Sequence, residues 1–447
     1  MSPAVFLRGS FYLFCRIPFP LYYRGSYKEY KISHELHYQA KERTDACRKS
    51  SRNNQERIRA MKNFVFCNPT KIIFGEGTVK QVGEETRTLG QKVLFVYGRK
   101  HIKKTGLYDE VIQSLKAAGV NYIEFDGVKS NPLLSHTREG IKLARNEKVD
   151  GILAVGGGSV LDESKAIAAG AVTDGDVWDF FTGEKQIEKA LPLGTVLTIP
   201  ATGSEMNGGM VVTNEETQEK FGFMSEHTYP TFSILDPTLT YTVPANYAAY
   251  SAVDSISHLI EGYFTHKDEW SPIHDRYVEG LVKTIMESTE KILANPNDYQ
   301  GRSTMMWAAT LAWNGLGTAG IGECQIPNHM LEHPISGIYD IAHGAGLSIV
   351  IPAWTLWASE RQPKRIAQMG REVFGVKETD DVKAAQECSK GFKTWFDKIG
   401  SPTSFSAAGI DKPDFEALAE QAITLGKIWG ITNYTKEELI EIYRLCV

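Results

Sequence analysis

Between residue 61 and about residue 240 the chain alternates short β-branched or aromatic runs with amphipathic ones, and after Pro244 that alternation stops. "KVLFVYG" (92–98) is a strand-like run that ends in glycine. "LYDEVIQSLKAAG" (107–119) follows, with Val111, Ile112 and Leu115 at helical spacing and Gly119 as a C-terminal stop. "NYIEFDGV" reads as the next strand, "HTREGIKLARNEKV" as a helix, "DGILAVGGGS" as a buried strand running into glycines, and "VLDESKAIAAGAV" as the helix after it. "GTVLTIPATGSEMN" is a further strand and turn. Such alternation predicts a mainly parallel sheet covered by helices on both faces. Beyond Pro244, "ANYAAYSAVDSISHLIEGYFT", "RYVEGLVKTIMESTEKILANP", "GRSTMMWAATLAWNGLG" and "DFEALAEQAITLG" all read as helices of ten or more residues. The organisation expected is an α/β domain over 61–240 and an all-helical domain over 241–447, with a ligand cleft between them.

Residues 1–60 stand apart in texture. They carry twelve Lys/Arg against five Asp/Glu, a net of +7, while the whole chain carries −5 and the remainder therefore −12. Pro18 and Pro20 break any helix in the aromatic stretch, and the apolar runs between Arg8, Arg16 and Arg24 are too short to span a bilayer or to form a secretory core. The segment reads as a poorly ordered extension or as sequence upstream of a start at Met61; a targeting or regulatory role is the alternative. With an overall charge of −5 nothing favours a nucleic-acid partner. Six cysteines without a CxxC pair fit a reducing, cytoplasmic setting with no disulfide framework. No membrane segment is expected after Met61.

Two stretches point to a nucleotide. Gly156, Gly157, Gly158 and Ser159 follow the strand "GILAV" and open the helix that contains Asp162. Glycines there let the backbone approach a ligand, and free N–H groups at a helix start attract phosphate. The pattern is neither G-x-G-x-x-G nor a P-loop, so a simple tight turn is the competing reading. The strand 92–98 ends in Gly98, followed at once by Arg99 and Lys100. An acidic residue at this edge would bind a ribose 2′-hydroxyl; two cations instead favour a 2′-phosphate, and so NADP(H) over NAD(H), unless they belong to a solvated loop.

A third stretch points to a metal. In 251–264 the residues Val253, Ile256, Leu259, Ile260 and Tyr263 form an apolar stripe, with Asp254 and His258 as an i, i+4 pair on the other side. A solvent-facing polar side is the ordinary fate of such a pair. Yet His329, His333 and His343 cluster within fifteen residues further on, and an Asp with several His suits Fe²⁺ or Zn²⁺. "HMLEH" also matches H-x-x-E-H, the inverted zinc-peptidase motif, but Pro334 follows His333 at once and disfavours the uninterrupted helix that motif needs.

The segments "LAVGGGSVLD" (153–162), "TIPATGSEMN" (198–207), "DPTLTYTVPANYAAYSAVDSISHLIEGYFT" (236–265) and "HMLEHPISGIYDIAHGAG" (329–346) closely resemble the iron-containing alcohol dehydrogenases, in order and in spacing. The branch they are most similar to is the bacterial NAD(P)H-dependent butanol dehydrogenases and aldehyde reductases. The resemblance covers 61–447 and none of 1–60. It implies a Rossmann-like parallel-sheet domain followed by an all-helical metal-binding domain. It implies Asp254, His258, His329 and His343 as metal ligands and His333 near the substrate. It implies Gly157, Gly158 and Ser159 on the pyrophosphate, with Asp162, Thr198, Ser204 and Asn207 in the motifs around the dinucleotide. Lys220 resembles the lysine near the nicotinamide ribose. One departure concerns the cofactor: many members of the branch have YGGGS where this chain has Tyr97, Gly98, Arg99, Lys100 and His101.

The activity so implied is metal-dependent interconversion of small aliphatic aldehydes and primary alcohols, such as butyraldehyde and butanol, by a cytoplasmic homodimer. A metal acts as Lewis acid, hydride passes to or from the nicotinamide, and His333 or a water chain carries the proton. Trp313, Met330 and Leu331 either shape an aliphatic pocket or pack in the core. The alternatives are a polyol dehydrogenase or lyase on the same fold, or a non-catalytic protein that binds a nucleotide and a metal.

Overall fold

The computed structural model describes residues 61–268 and 270–447. The expectations for residues 1–60 therefore lie outside the described residues. Among the described residues eight strands form: β1 (Lys71–Phe74), β2 (Lys92–Gly98), β3 (Asn121–Val128), β4 (Gly151–Gly157), β5 (Leu193–Ile199), β6 (Gly209–Asn214), β7 (Glu219–Met224) and β8 (Phe232–Leu235). Between them run α1 (Leu107–Ala117), α2 (Leu134–Glu147) and α3 (Gly158–Ala171). After β8 come α4 (Ala245–Thr265), α5 (Pro272–Ala294), α6 (Tyr299–Ala312), α7 (Pro327–Tyr339), α8 (His343–Ala358), α9 (Pro363–Phe374), α10 (Asp381–Lys398), α11 (Phe415–Trp429) and α12 (Lys436–Arg444).

Six strands make one parallel sheet in the order β1-β8-β5-β4-β2-β3. Their composition explains why. The central strands β2, β4 and β5 are buried along nearly their whole length, and alternate residues serve opposite faces. Leu94, Val96, Ile152 and Ala154 join one apolar cluster with Ile141 and Ile167 from α2 and α3. Val93, Phe95, Leu153 and Val155 join another with Val111 and Leu115 from α1. A sheet covered on both faces needs continuous apolar strands, and these are.

From β2 the chain moves outward to β3, while from β4 it moves the opposite way to β5. The connections thus diverge between β2 and β4, and a crevice opens at the carboxyl ends of those two strands, where such sheets bind their ligands. Gly98, Gly156 and Gly157 are the strand-end residues that meet there.

Two features depart from the sequence-based expectations. β6 and β7 form an antiparallel hairpin, Gly209 opposite Met224 through Asn214 opposite Glu219, that the strand–helix alternation does not contain. Helix α7 also runs unbroken through Pro334. The expectation that Pro334 ends helical geometry at His333 is therefore corrected. A proline inside a helix costs one hydrogen bond and a steric clash; α7 is buried from Pro327 to Ser336, and its packing outweighs that cost. Among the described residues no helix is long and apolar enough to cross a membrane.

Candidate functional site

Helix α4 carries the first half of the site. It is not a surface helix with one polar side: nearly every residue from Ala248 to Phe264 is buried, Asp254 and His258 included. Burial of an ionisable pair is costly unless something compensates it. The compensation comes from α7 and the first residue of α8. Asp254 Oδ1 lies 3.6 Å from His258 Nδ1, 3.7 Å from His329 Nε2 and 3.6 Å from His343 Nε2. Three imidazole nitrogens from three helices thus face one carboxylate oxygen. Asp254 Oδ1, His258 Nδ1 and His329 Nε2 have no hydrogen-bond partner although all are buried. Ligand atoms of Asp254, His329 and His343 lie within 4.8 Å of one another. Orphaned, converging and chemically matched to Fe²⁺ or Zn²⁺, these atoms fit a cation.

The electrostatics agree. Burial works to raise the Asp254 carboxyl, and the facing imidazoles of His258, His343 and His329 outweigh it, holding it well below the usual carboxylate range. Burial pushes His258 down to about 4, so its lone pair is available. Burial also works to lower His329, but Glu261 and Asp254 hold it up, to about 10. Two buried carboxylates therefore demand positive charge at this spot, and His329 meets the demand as long as no cation does.

Behind the ligand-type atoms stand two carboxylates whose roles the sequence did not reveal. Glu261 bonds His329 twice, at the backbone nitrogen (3.0 Å) and at Nδ1. Glu332 receives His343 Nδ1 at one oxygen and the Ser336 hydroxyl at the other. Each fixes a ring so that Nε2 points at Asp254, as outer carboxylates commonly do around metals. Glu261 had a signal: it follows Asp254 by seven residues and His258 by three, so it shares their side of the helix. A second group of ligand-type atoms, from Glu332, His333 and His343, is also close-set. It is a poor cation site, because the Lys220 ammonium stands 3.2 Å from His343 Nδ1 and 3.5 Å from Glu332 Oε2. The H-x-x-E-H peptidase reading fails likewise: Glu332 is fully buried against His343 and Ser336, and His333 turns Nδ1 to the Lys220 carbonyl at 2.9 Å.

The cleft between β2 and β4 has a volume of about 330 Å³ and runs up to this cluster. Gly98, Gly157, Gly158, Ser159 and Thr198 line it, and so do Asp254 and His343. The start of α3 thus points its free N–H groups into the space that leads to the histidines. Gly158 has to be glycine for steric reasons, because a Cβ there would lie 2.5 Å from Thr202 Cγ2. Arg99 and Lys100 lie in an adjoining basin with His101, Lys104 and Lys129, and Asp340 is its one acidic lining residue.

Four of the sequence-derived cofactor residues stand behind the cleft wall. Ser204 and Asn207 converge on the buried Lys165, whose ammonium donates to Ser204 Oγ (2.8 Å), the Asn207 carbonyl (2.8 Å) and the Gly209 carbonyl (2.7 Å). Ser204 in turn donates to Asp162 Oδ1 at 2.6 Å. This network ties the loop after β5 to α3, and so holds Thr198 and the glycine turn in place. Lys220 sits on β7 beside Glu332 and His343, not in the cleft lining. Met330 and Leu331 are buried in the helical core, whereas Trp313 stacks on the His258 ring at 5.0 Å.

Comparison with known proteins bears on all of this. Residues 69–237 match the iron-containing alcohol dehydrogenase family, and residues 248–447 match the C-terminal part of the Fe-containing alcohol dehydrogenase family. The probable NADH-dependent butanol dehydrogenase 1 of Bacillus subtilis (strain 168) is 41% identical over 387 residues, covering 86% of this chain and 99% of the relative. The NADPH-dependent aldehyde reductase YqhD of Escherichia coli (strain K12) is 39% identical over 366 residues, 81% of this chain and 93% of the relative. Among solved structures, that of the NADH-dependent butanol dehydrogenase A of Thermotoga maritima superimposes with a TM-score of 0.84 at 43% identity, covering 87% of this chain and 100% of the other.

Proposed function

From the premise that the chain belongs to the iron-containing alcohol dehydrogenase family, we propose that Asp254, His258, His329 and His343 hold its catalytic cation and that small aliphatic aldehydes and primary alcohols are its substrates. The chain is an NAD(P)-dependent oxidoreductase that interconverts alcohol and aldehyde. Butyraldehyde and butanol are the pair we favour, because the named relatives include butanol dehydrogenases. The observation that carries the reading is the set of orphaned, buried atoms around Asp254 Oδ1 at the end of a glycine-lined cleft. We divide the labour near residue 240, with 61–240 for the dinucleotide and 241–447 for the cation.

When bound, the cation supplies Lewis acidity at the substrate oxygen and the nicotinamide supplies or takes the hydride. The protein's own contributions follow from the geometry. Gly157, Gly158 and Ser159 bind the pyrophosphate with backbone N–H groups at the start of α3. Glu261 and Glu332 orient His329 and His343. His333 donates from Nδ1 to the Lys220 carbonyl, which leaves Nε2 as the bare nitrogen of the neutral ring. Burial keeps that ring neutral, and Nε2 can accept the alcohol proton or pass one back.

Arg99 and Lys100 support NADP(H) over NAD(H), for their basin adjoins the cleft at the β2 end. A cytoplasmic homodimer is the assembly and location we expect. Cys67, Cys324, Cys388 and Cys446 are free thiols, which fits a reducing compartment. Steady-state oxidation of NADPH and NADH with butyraldehyde, before and after chelator treatment, tests the whole. Chelator-sensitive turnover, restored by Fe²⁺ or Zn²⁺, is the expected result. Cofactor binding without turnover over a range of aldehydes would instead mark a non-catalytic binding protein.

A further inference from the structure

His343 is the one histidine of the cluster with a second cationic donor behind it. Its ring stands between two carboxylates, Nε2 towards Asp254 at 3.6 Å and Nδ1 bonded to Glu332 Oε2. Lys220, arriving from β7, places its ammonium 3.2 Å from the same Nδ1 and 3.5 Å from Glu332 Oε2. His329 has the simpler arrangement, with Glu261 alone behind it. Glu332 is wholly enclosed, and its seat is made to measure. A Cβ on Gly346 would lie 2.5 Å from Glu332 Oε1, and Ser336 holds that oxygen. At the next close contact, a Cβ on Gly337 would lie 2.4 Å from the Gln218 carbonyl, so α7 rests directly on the hairpin that brings Lys220.

A lysine ammonium only donates. An imidazole holds a cation at Nε2 only if Nε2 is bare, and the neutral ring must then carry its proton on Nδ1. Beside Nδ1–H, Lys220 is a misplaced donor unless one acceptor is within reach of both. Glu332 is that acceptor: it takes the Nδ1 proton as a hydrogen bond and takes the Lys220 charge as an ion pair. Without the carboxylate, Lys220 donates to Nδ1, and the ring proton moves to Nε2, where it faces the cation position.

We infer that Glu332 is a positioning residue that sets cation affinity by keeping Lys220 from imposing the wrong tautomer on His343. The inference rests on the proposed ligand set, and it gives Lys220 a place behind the metal in addition to the cofactor role that resemblance implies.

The test is a double-mutant cycle in the full-length protein, read as the dissociation constants of Zn²⁺ by chelator competition and of NADPH by fluorescence. Glu332→Ala is expected to weaken Zn²⁺ by about 10–100-fold, the usual effect of removing an outer carboxylate, with NADPH affinity unchanged. Adding Lys220→Met to that variant is expected to restore about tenfold of the loss, because the competing donor is gone. If Glu332→Ala fails to fold, as judged by circular dichroism, the same pair is measured on Glu332→Leu, which keeps much of the volume and removes the acceptor. Zn²⁺ affinity that survives loss of the carboxylate, or a double variant no better than the single, overturns the inference. Failure of the wild-type protein to bind Zn²⁺ or Fe²⁺ at all would instead overturn the ligand set beneath it.

Discussion

The proposed cation cluster and the proposed dinucleotide cleft meet at Asp254 and His343, yet they are built on opposite principles. The cluster is made of side chains: charged and imidazole groups on three helices, buried except for the half-buried His343, with the His329 and His343 rings aimed by Glu261 and Glu332 and the His258 ring stacked on Trp313. The cleft is made of backbone: glycines at strand ends and the start of α3, with exposed cations at its outer edge. A side-chain site fails when one functional group is lost. A backbone site fails when a side chain is added. The two regions should therefore respond to opposite kinds of substitution, and each can be broken without the other.

The largest separation is expected from Asp254→Asn. It removes the charge on which three imidazoles converge, and kcat/KM should fall by about 10³-fold with loss of bound metal, while the NADPH dissociation constant is unchanged. Gly158→Val is the converse. Its Cβ would lie 2.5 Å from Thr202, so NADPH binding should weaken by about tenfold, near 1.4 kcal/mol, with metal content retained. Equal losses of metal and cofactor in either variant would mean that the two regions form one cooperative unit.

A smaller effect belongs to the basin. Arg99→Gly with Lys100→Gly should shift preference from NADPH towards NADH by about fivefold, measured as the ratio of kcat/KM values, since exposed cations contribute little each. The smallest concerns His136 on α2, which ties β3 to α3. His136 bonds the buried Glu163 at 2.5 Å and the Asp126 carbonyl at 3.0 Å, with Glu139 also nearby. The Glu163 hydrogen bond raises the His136 pKa against the effect of burial. A raised folded-state value means that its stabilisation is full below the ordinary 6.5 and is lost as pH climbs through the raised one. Tm should fall by about 2 °C across that window, and His136→Gln should flatten the fall.

The same contrast explains what the sequence revealed. Asp254 and His258 were legible as a polar i, i+4 pair, and His329, His333 and His343 as a cluster of metal-binding residue types, while the proposed four-ligand set came from the resemblance. Only burial distinguished them from a solvated polar side, and α4 is buried all round. Glu332 was harder, because it acts through His343, eleven residues on, and through Lys220 on another element. In the cleft, Gly157, Gly158 and Ser159 were legible as a strand-to-helix turn. Asp162, Ser204 and Asn207 lie in the same motifs, but Ser204 and Asn207 bond a buried lysine and Asp162 bonds Ser204. Sequence shows that a polar group sits near a glycine turn, and not which way it points; the three-residue spacing of Asp162 and Lys165 was the available clue. The β6–β7 hairpin went unread because a strand–helix template has no place for two strands in succession. Helix α7 ran through Pro334 because packing of its neighbours, invisible in a local window, overrode a local preference.

The central claim is that one cation is shared by side chains from α4, α7 and α8. Anomalous diffraction at the iron edge from crystals of the iron-loaded protein locates it directly. A single peak about 2.0–2.3 Å from the Asp254 carboxylate and from the imidazoles of His258, His329 and His343 is the predicted result. A peak elsewhere in the chain, or none in crystals of fully active protein, would contradict it.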